Sequence, residues 1–557
     1  MHSFIIPKLT GTHADVFAAA GLADLLSPLD PHSTIVDLGH SFRVNLTSAV
    51  SRESIAALDP SPGYRYLLPQ PTDTIPPSLP GGMVLDYQEQ KEKANRQRER
   101  EQAKRAGTEL AEEAAADAPV DDFRLYQVLN ALQGDGATNK MLLTVLHESN
   151  WPQTLWAALV SLANGESPRL NWETDLVQLF NPHAAKGYSR LKPDSTARGD
   201  KTKDAWAEPF TEWLRFRGFF QAAAPFFLGA KSENIRILTP LPKSISYRRI
   251  ALAVAALRQA RIFGSAPKID TLGVLKLAQI LISSSPPAEL APPNALVDGI
   301  VITHYQSMGN AKTVTSTETL ALPGWFELNN AGDAALWLSV LEEHSLILRN
   351  LEDRNSDELG MLIQYRRFLE HGGAHGIYEL LVFLETYGIF LIRKRAQDSR
   401  RHRQFSINLL EKILMPHSDY LAILQNPGFR ALASAIRSAT VSAQTLKRNK
   451  SRDYREIRYD VLPDLRRKRL LPDSAPFLEA VADFVATYNA ESARRLEQNK
   501  PTGIRRVTTE DLQAFVALFE DRKDASLIGA LLCAYATCRE SSDPDAPSQD
   551  NTTQPEQ

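Results

Sequence analysis

Cationic side chains are concentrated in one stretch of the C-terminal half of the chain. From Lys447 to Arg469, ten basic residues stand against four acidic ones, a net charge of +6 in 23 residues, whereas the whole chain of 557 residues carries a formal charge of -3. Clustered Lys and Arg side chains bind polyanions by neutralising phosphates and releasing counterions. The candidate phosphate-binding residues in this stretch are Lys447, Arg448, Lys450, Arg452, Arg455, Arg458, Arg466, Arg467 and Lys468. The pattern predicts contact with a nucleic-acid backbone, and a merely solvated helix face is the alternative.

Two tyrosines, Tyr454 and Tyr459, lie among these cations. Aromatic rings interleaved with Lys and Arg can stack on bases while the cations follow the phosphates. A solvated helix face rarely requires such rings, so the tyrosines favour nucleic-acid binding over the alternative.

Two further basic clusters are candidates for the same chemistry. Arg393, Arg400 and Arg401 follow a helix predicted from Gly376 to Ile392, where cations also interact favourably with the helix dipole. A Gly-, Pro- and Lys-rich loop between Phe180 and Lys203 precedes an aromatic-rich segment and could grip a single strand, although such aromatics are more often core residues. Its candidate residues are Lys186, Arg190 and Lys192.

A β-hairpin is predicted in the middle of the chain. Residues 295–306 and 312–322 are β-branched runs joined by a short segment that contains Gly309 and Asn310. The slim tip of such a hairpin can enter a DNA groove, so Gly309, Asn310 and Lys312 are candidates for reading a short DNA motif. A plain solvent-exposed hairpin is the alternative.

No recognisable catalytic or metal-binding motif is present. The sequence lacks GxxxxGK[ST], GxSxG and HExxH, and its only cysteines are Cys533 and Cys538, too few for a four-cysteine zinc site. His13 and Asp15 could suggest acid–base chemistry, but a histidine near a helix start is more often a structural residue. We therefore expect a protein that is not an enzyme and has no metal or cofactor.

Composition and pattern predict a multidomain α+β protein. The 43% hydrophobic and 23% charged content is typical of globular proteins, and without a long apolar run or a secretory signal we expect a cytoplasmic protein that does not contact a membrane. We expect a mixed α/β layer at 1–85, a charged helical or flexible connector at 86–118, and an α+β region with the basic loop and hairpin at 119–330. An all-α helical bundle at 331–540 and a disordered tail at 541–557 complete the prediction.

Several stretches, in their order along the chain, resemble the large subunit of the type I CRISPR interference complex, Cascade. They are GTHADVFAAAGLADLL near the start, FNPHAAKGYSRLKPD, YRRFLEHGG with FLETYGIFL after it, IRSATVSAQ, REIRYDVLPDLRRK, and FLEAVADFVATYNAES. The similar pieces are spread over most of the chain. Some members of this family carry a four-cysteine zinc site, which this chain cannot form, so the resemblance leaves the subtype open.

The resemblance implies a non-catalytic subunit that works with the guide-RNA ribonucleoprotein subunits of Cascade. Such a subunit would lie near the 5′ handle of the CRISPR RNA, inspect the protospacer-adjacent motif in double-stranded DNA, stabilise the R-loop with its displaced strand, and recruit the helicase-nuclease. We expect the region from Arg393 to Arg469 to contact strand phosphates and the Gly309–Asn310 hairpin to inspect the motif. A helical scaffold that binds only proteins and, less favoured, a nucleic-acid-processing enzyme are the alternatives.

Overall fold

The computed structural model describes most of the chain. The described residues are 1–59, 61, 63–70, 73–105, 118–132, 134–168, 170, 209–228, 234–286, 289–307, 312–325, 327–371, 373–397, 401–450, 455–498, 506–522 and 524–540. The chain divides into two compact units, the first formed by Met1–Pro286 and Ala291–Leu322 and the second by Pro287–Leu290 and Pro323–Gln557. Helices dominate and strands are confined to small sheets, so the predicted α+β class is confirmed.

In the residues that the structure describes, the first unit contains three small sheets. Its strands are β1 (Ser3–Pro7), β2 (Thr34–Asp37), β3 (Ser41–Asn45), β4 (Tyr66–Leu68), β5 (Val84–Asp86), β6 (Ala224–Leu228), β7 (Asn234–Pro242), β8 (Ser244–Ser246), β9 (Val297–Ser307) and β10 (Lys312–Ala321). The two four-stranded sheets have the orders β1-β3-β2-β8 and β10-β9-β7-β6, and both are antiparallel. Strands β4 and β5 form a parallel pair.

Strand β8 joins two parts of the chain that the sequence predicts as separate domains. It pairs with β2, so residues near 245 complete a sheet that begins at Ser3. The regions predicted at 1–85 and 119–330 therefore form one unit up to Leu322. The predicted hairpin is present, because β9 and β10 pair in antiparallel register from Ser307–Lys312 to Gly299–Ala321.

Helices of the first unit cover and connect these sheets. They are α1 (His13–Leu26), α2 (Arg52–Ala56), α3 (Tyr87–Arg105), α4 (Phe123–Ala131), α5 (Asp135–Leu146), α6 (Trp151–Ala163), α7 (Pro209–Ala222), α8 (Tyr247–Gln259), α9 (Ala266–Ser283) and α10 (Pro293–Leu296). Helix α3 is the helical part of the predicted charged connector. Almost every residue of α1 is buried, which explains its run of alanines and leucines.

Helices α1 and α7 cross with their backbones in contact. A Cβ atom on Gly218 would overlap the carbonyl oxygen of Phe17, and one on Gly21 would overlap the carbonyl oxygen of Leu214. Only glycine permits so close an approach, and the resulting contact places Phe17 beside Phe219, with ring centroids 5.7 Å apart.

Replacing one of these glycines tests the crossing. We expect Gly218→Ala to lower the free energy of unfolding by about 1–3 kcal/mol or more, because the added methyl group forces the two helices apart. The control is Gly136→Ala in α5, where an added Cβ meets no atom within 4 Å and helix propensity favours alanine. Thermal melts of both variants check the prediction, and equal melting temperatures would contradict it.

The second unit is an assembly of helices. They are α11 (Ala331–Arg349), α12 (Ser356–His371), α13 (Gly373–Ala396), α14 (Ile407–Leu414), α15 (Ser418–Gln425), α16 (Pro427–Arg437), α17 (Ala443–Arg448), α18 (Val461–Arg469), α19 (Ala475–Glu497), α20 (Thr509–Arg522) and α21 (Ala525–Thr537). A π-helical turn at Ser438–Ser442 lies between α16 and α17. No helix in the described part of the chain is long and apolar enough to cross a membrane.

Candidate nucleic-acid interface

The basic run at the end of α18 is anchored inside the second unit. Arg469 is 2% exposed, and its Nε donates to Glu385 Oε1 of α13 at 2.8 Å. Its Nη1 also donates to the Ser526 hydroxyl of α21 at 3.2 Å. Because a buried carboxylate is tolerated only with a charged or hydrogen-bonding partner, Arg469 is an internal partner of Glu385 and joins three helices.

The neighbouring cations of α18 also face carboxylates. Arg466 Nε lies 3.6 Å from Glu385 Oε2, with 37% of its side chain exposed. Arg467 and Lys468 share Asp464, at 2.6 and 3.3 Å. Arg467 is 75% exposed and its ion pair is therefore a weak surface contact, so this residue still reaches solvent. Of the three candidates, Arg466 is thus directed toward an internal acid, whereas Arg467 and Lys468 pair with a partly exposed acid of their own helix.

Arg455 is reassigned from the phosphate-binding candidates to the protein interior. Its side chain is 2% exposed, and Nη2 donates to the Ser492 hydroxyl at 2.9 Å. Its guanidinium stacks over the Tyr488 ring at 4.2 Å from the centroid and lies 3.8 Å from Glu491 Oε2. A group so enclosed cannot reach a polyanion, and it holds the segment before α18 against α19.

Arg458 occupies an intermediate position. Its backbone N–H donates to the carbonyl of Ala439 at 2.9 Å, and its guanidinium lies 3.8 Å from Glu456 Oε2, with 26% of the side chain exposed. Tyr459 is 46% exposed, so its ring remains accessible for stacking.

A second group of candidates meets at the C-terminal end of α13. Gln444 Nε2 of α17 donates to the carbonyl of Ile392 at 2.9 Å, and Arg395 Nη1 donates to the Thr445 hydroxyl at 3.1 Å. These contacts bring the last turn of α13 against α17. Exposed or half-buried cations therefore gather there from two helix ends: Arg393, Lys447, Arg448 and Lys450.

A residue in the left-handed region ends α17 and leaves the basic residues of the helix at the surface. Lys450 has φ +58°, in the left-handed region that usually takes glycine or asparagine, and its N–H donates to the carbonyl of Lys447 at 3.0 Å. This turn closes the helix immediately after its basic residues, so Lys447 and Lys450 both remain at the surface.

The π-helical turn determines which side chains α17 directs toward α13. A π turn accommodates one residue more than an α turn and is often found at functional sites. The turn at Ser438–Ser442 is mostly buried and continues directly into α17, where Gln444 and Thr445 face α13. The resemblance stretch IRSATVSAQ coincides with this turn.

Arg401 reaches the same end of α13 from the following segment. His402 packs on Phe390 with ring centroids 5.0 Å apart, so the chain returns along α13. Glu358, with 1% of its side chain exposed, lies 3.3 Å from Lys394 Nζ and 4.0 Å from His402 Nε2. Arg401 itself is exposed and pairs with Glu352.

Sequence reasoning missed two arginines at this end. Arg349, the last residue of α11, and Arg354, in the turn before α12, are both exposed. The N–H of Glu352 in this turn donates to Glu358 Oε2 at 2.6 Å, which ties the turn to the end of α13. Neither arginine belongs to a dense basic run. The preference of helix C-termini for cations could have indicated Arg349, whereas no sequence signal indicates Arg354. We call the following residues the helix-end cluster: Arg349, Arg354, Arg393, Arg401, Lys447, Arg448 and Lys450.

The remaining candidates lie outside the described side chains. They are Lys186, Arg190, Lys192, Gly309, Asn310, Arg400 and Arg452, together with Lys312, whose backbone begins β10. The basic loop and the motif-reading hairpin tip therefore stay predictions.

The histidine near the start of α1 is a structural residue. His13 is fully buried, with Nδ1 2.9 Å from the Thr303 hydroxyl and Nε2 3.0 Å from the Tyr305 hydroxyl. Burial, assisted by the positive charge of Arg215, lowers the pKa of His13 to about 3. Asp15 accepts backbone N–H groups of Thr10 and Gly11 and fixes the preceding loop.

Comparisons with known proteins do not identify a family for this chain. No protein-family model matches the chain, and no curated protein is significantly similar to it. Within the part of the chain that the structure describes, no group of three or more His, Cys, Asp or Glu side chains is arranged to hold a metal ion.

The buried and exposed cations of α18 should respond differently to neutral replacement. We expect Arg469→Met to lower the free energy of unfolding by about 3–5 kcal/mol, because Glu385 is left buried without its partner. Arg467→Met, on the same helix, should change it by less than about 1 kcal/mol because that ion pair is exposed. Denaturant titration measures both; similar losses would show that the buried pair has no special role.

Glu343 makes the stability of the second unit depend on pH. Its carboxylate accepts the Ser406 N–H at 3.0 Å and lies 3.8 Å from Arg539 Nη2, where Ser406 and Arg539 form a parallel bridge. Burial outweighs these two contacts and raises the pKa of Glu343 from 4.5 to about 7. The folded state therefore binds this proton more tightly than the unfolded state does.

The sign of this effect is testable. The stabilisation from the bound proton is fully present below about pH 4.5 and is lost as pH rises through about 7, amounting to about 3 kcal/mol at most. We expect Glu343→Gln to become increasingly more stable than the unaltered protein across that interval. The exposed neighbour Glu342→Gln is the control. A Glu343→Gln difference that does not change with pH would contradict the assignment.

Proposed function

We propose that this chain is a non-catalytic, nucleic-acid-binding large subunit of a type I CRISPR RNA-guided surveillance complex. The observation that carries the proposal is the helix-end cluster, in which the ends of α11, α13 and α17 and the segment at Arg401 meet. These contacts connect the segments that carry the cations, which supports a shared, positively charged surface for phosphate binding. The sequence resemblance to the Cascade large subunit supplies the class of complex.

In this role the helix-end cluster would hold strand phosphates in the R-loop, formed on double-stranded target DNA by the guide-RNA ribonucleoprotein. Protein contacts in such complexes follow the backbone while base pairing reads the sequence. Inspection of the adjacent motif by Gly309, Asn310 and Lys312, proximity to the 5′ handle of the CRISPR RNA, and recruitment of the helicase-nuclease belong to the same proposal, as does a cytoplasmic location.

A protein-binding helical scaffold is the second candidate. The observation that favours it is the internal pairing of the basic run near α18, where Arg455, Arg466 and Arg469 face carboxylates. The two functions differ in their response to salt, because only phosphate contacts make affinity fall steeply with ionic strength.

Charge reversal at the helix ends separates these functions. We expect Arg393→Glu with Lys450→Glu to weaken binding of a fluorescently labelled DNA duplex at least about tenfold and to reduce the salt slope by about 2, since two phosphate contacts are lost. Anisotropy titrations at several salt concentrations, with the full chain alone and in its purified complex, measure both quantities.

The matched control is Lys412→Glu with Arg494→Glu, which makes the same change of charge at two exposed residues of α14 and α19 that lie outside the candidate sets. Its affinity should change by less than about threefold. Equal losses in both variants would show that binding depends on net charge alone. A wild-type protein without salt-dependent duplex binding would favour the scaffold.

A further inference from the structure

The turn between α11 and α12 places a carboxylate against an arginine of the helix-end cluster. Glu352 Oε1 pairs with Arg401 Nη1, and the two side chains are 53% and 43% exposed. Both partners thus face solvent, where a phosphate group can approach the guanidinium from outside. An ion pair this exposed is weak enough to be exchanged for another anion.

The backbone beneath this ion pair is fixed by a buried carboxylate. Glu358 accepts the N–H of Glu352 at 2.6 Å and lies 4.0 Å from Nε2 of His402, the residue after Arg401. Its other oxygen lies 3.3 Å from Lys394 Nζ. Glu358 therefore fixes the segment that carries Glu352, and the packing of His402 on Phe390 fixes the segment that carries Arg401, so the two side chains can separate without movement of their backbones.

We infer that Glu352 is an internal counter-ion that competes with nucleic-acid phosphate for Arg401. The inference rests on the proposed function and adds to it a residue that weakens binding. The ligand is the phosphodiester backbone of duplex nucleic acid, whatever its bases. When a phosphate reaches Arg401, the Glu352 carboxylate is displaced into solvent, so this contact releases fewer bound counterions than an unpaired arginine would.

Removing the carboxylate should therefore strengthen binding. We expect Glu352→Gln to bind a labelled duplex of arbitrary sequence about two- to fivefold more tightly at low salt. The slope of log affinity against log salt should steepen by about 0.9, because Arg401 then contributes a full phosphate contact. The control is Glu479→Gln on α19, an exposed residue with the same charge change, which should leave the slope unaltered.

A double-mutant cycle identifies Arg401 as the partner. In the Arg401→Gln protein, Glu352→Gln should no longer change affinity or slope, and thermal melts confirm that each variant is folded. Wild-type affinity and slope in the Glu352→Gln protein would overturn the inference while leaving the proposed function intact. Absence of salt-dependent duplex binding by the wild-type protein would overturn both.

Discussion

The buried ion pair between Glu385 and Arg469 fixes the packing of three helices in the second unit. A carboxylate with no exposed surface must be compensated, and Arg469 does this while also bonding Ser526. This requirement fixes α18 against α13 and α21. It also draws Arg466 toward the same carboxylate, so part of the densest basic run serves the interior.

Surface charge in this unit is organised by helix ends. Arg349 ends α11, Arg393 lies in the last turn of α13, and Lys447 and Arg448 end α17. Each cation favours the negative end of its own helix dipole, and the contacts between α13 and α17 bring two of these helix ends together. Helix stability and the proposed phosphate binding therefore favour the same residue types at the same positions.

The sequence predicts the helices and the hairpin well, because their apolar spacing is set by burial on one face. It predicts poorly whether an individual cation is buried or exposed. Arg455 and Arg467 belong to the same basic run, yet one is stacked on Tyr488 inside the protein and the other is mostly solvated. Arg455 lies beside Glu491, which is distant in sequence and adjacent only after folding, whereas Arg467 pairs with Asp464 three residues before it on the same helix.

The π-helical turn at Ser438–Ser442 also sets the angular position of the helix that follows it. One surplus residue in a helix turns everything downstream by about 100° relative to an uninterrupted α-helix. Deleting one residue from this turn would therefore rotate Gln444 and Thr445 away from their partners on α13. The basic residues of α17 would keep their order in the sequence but would face another direction.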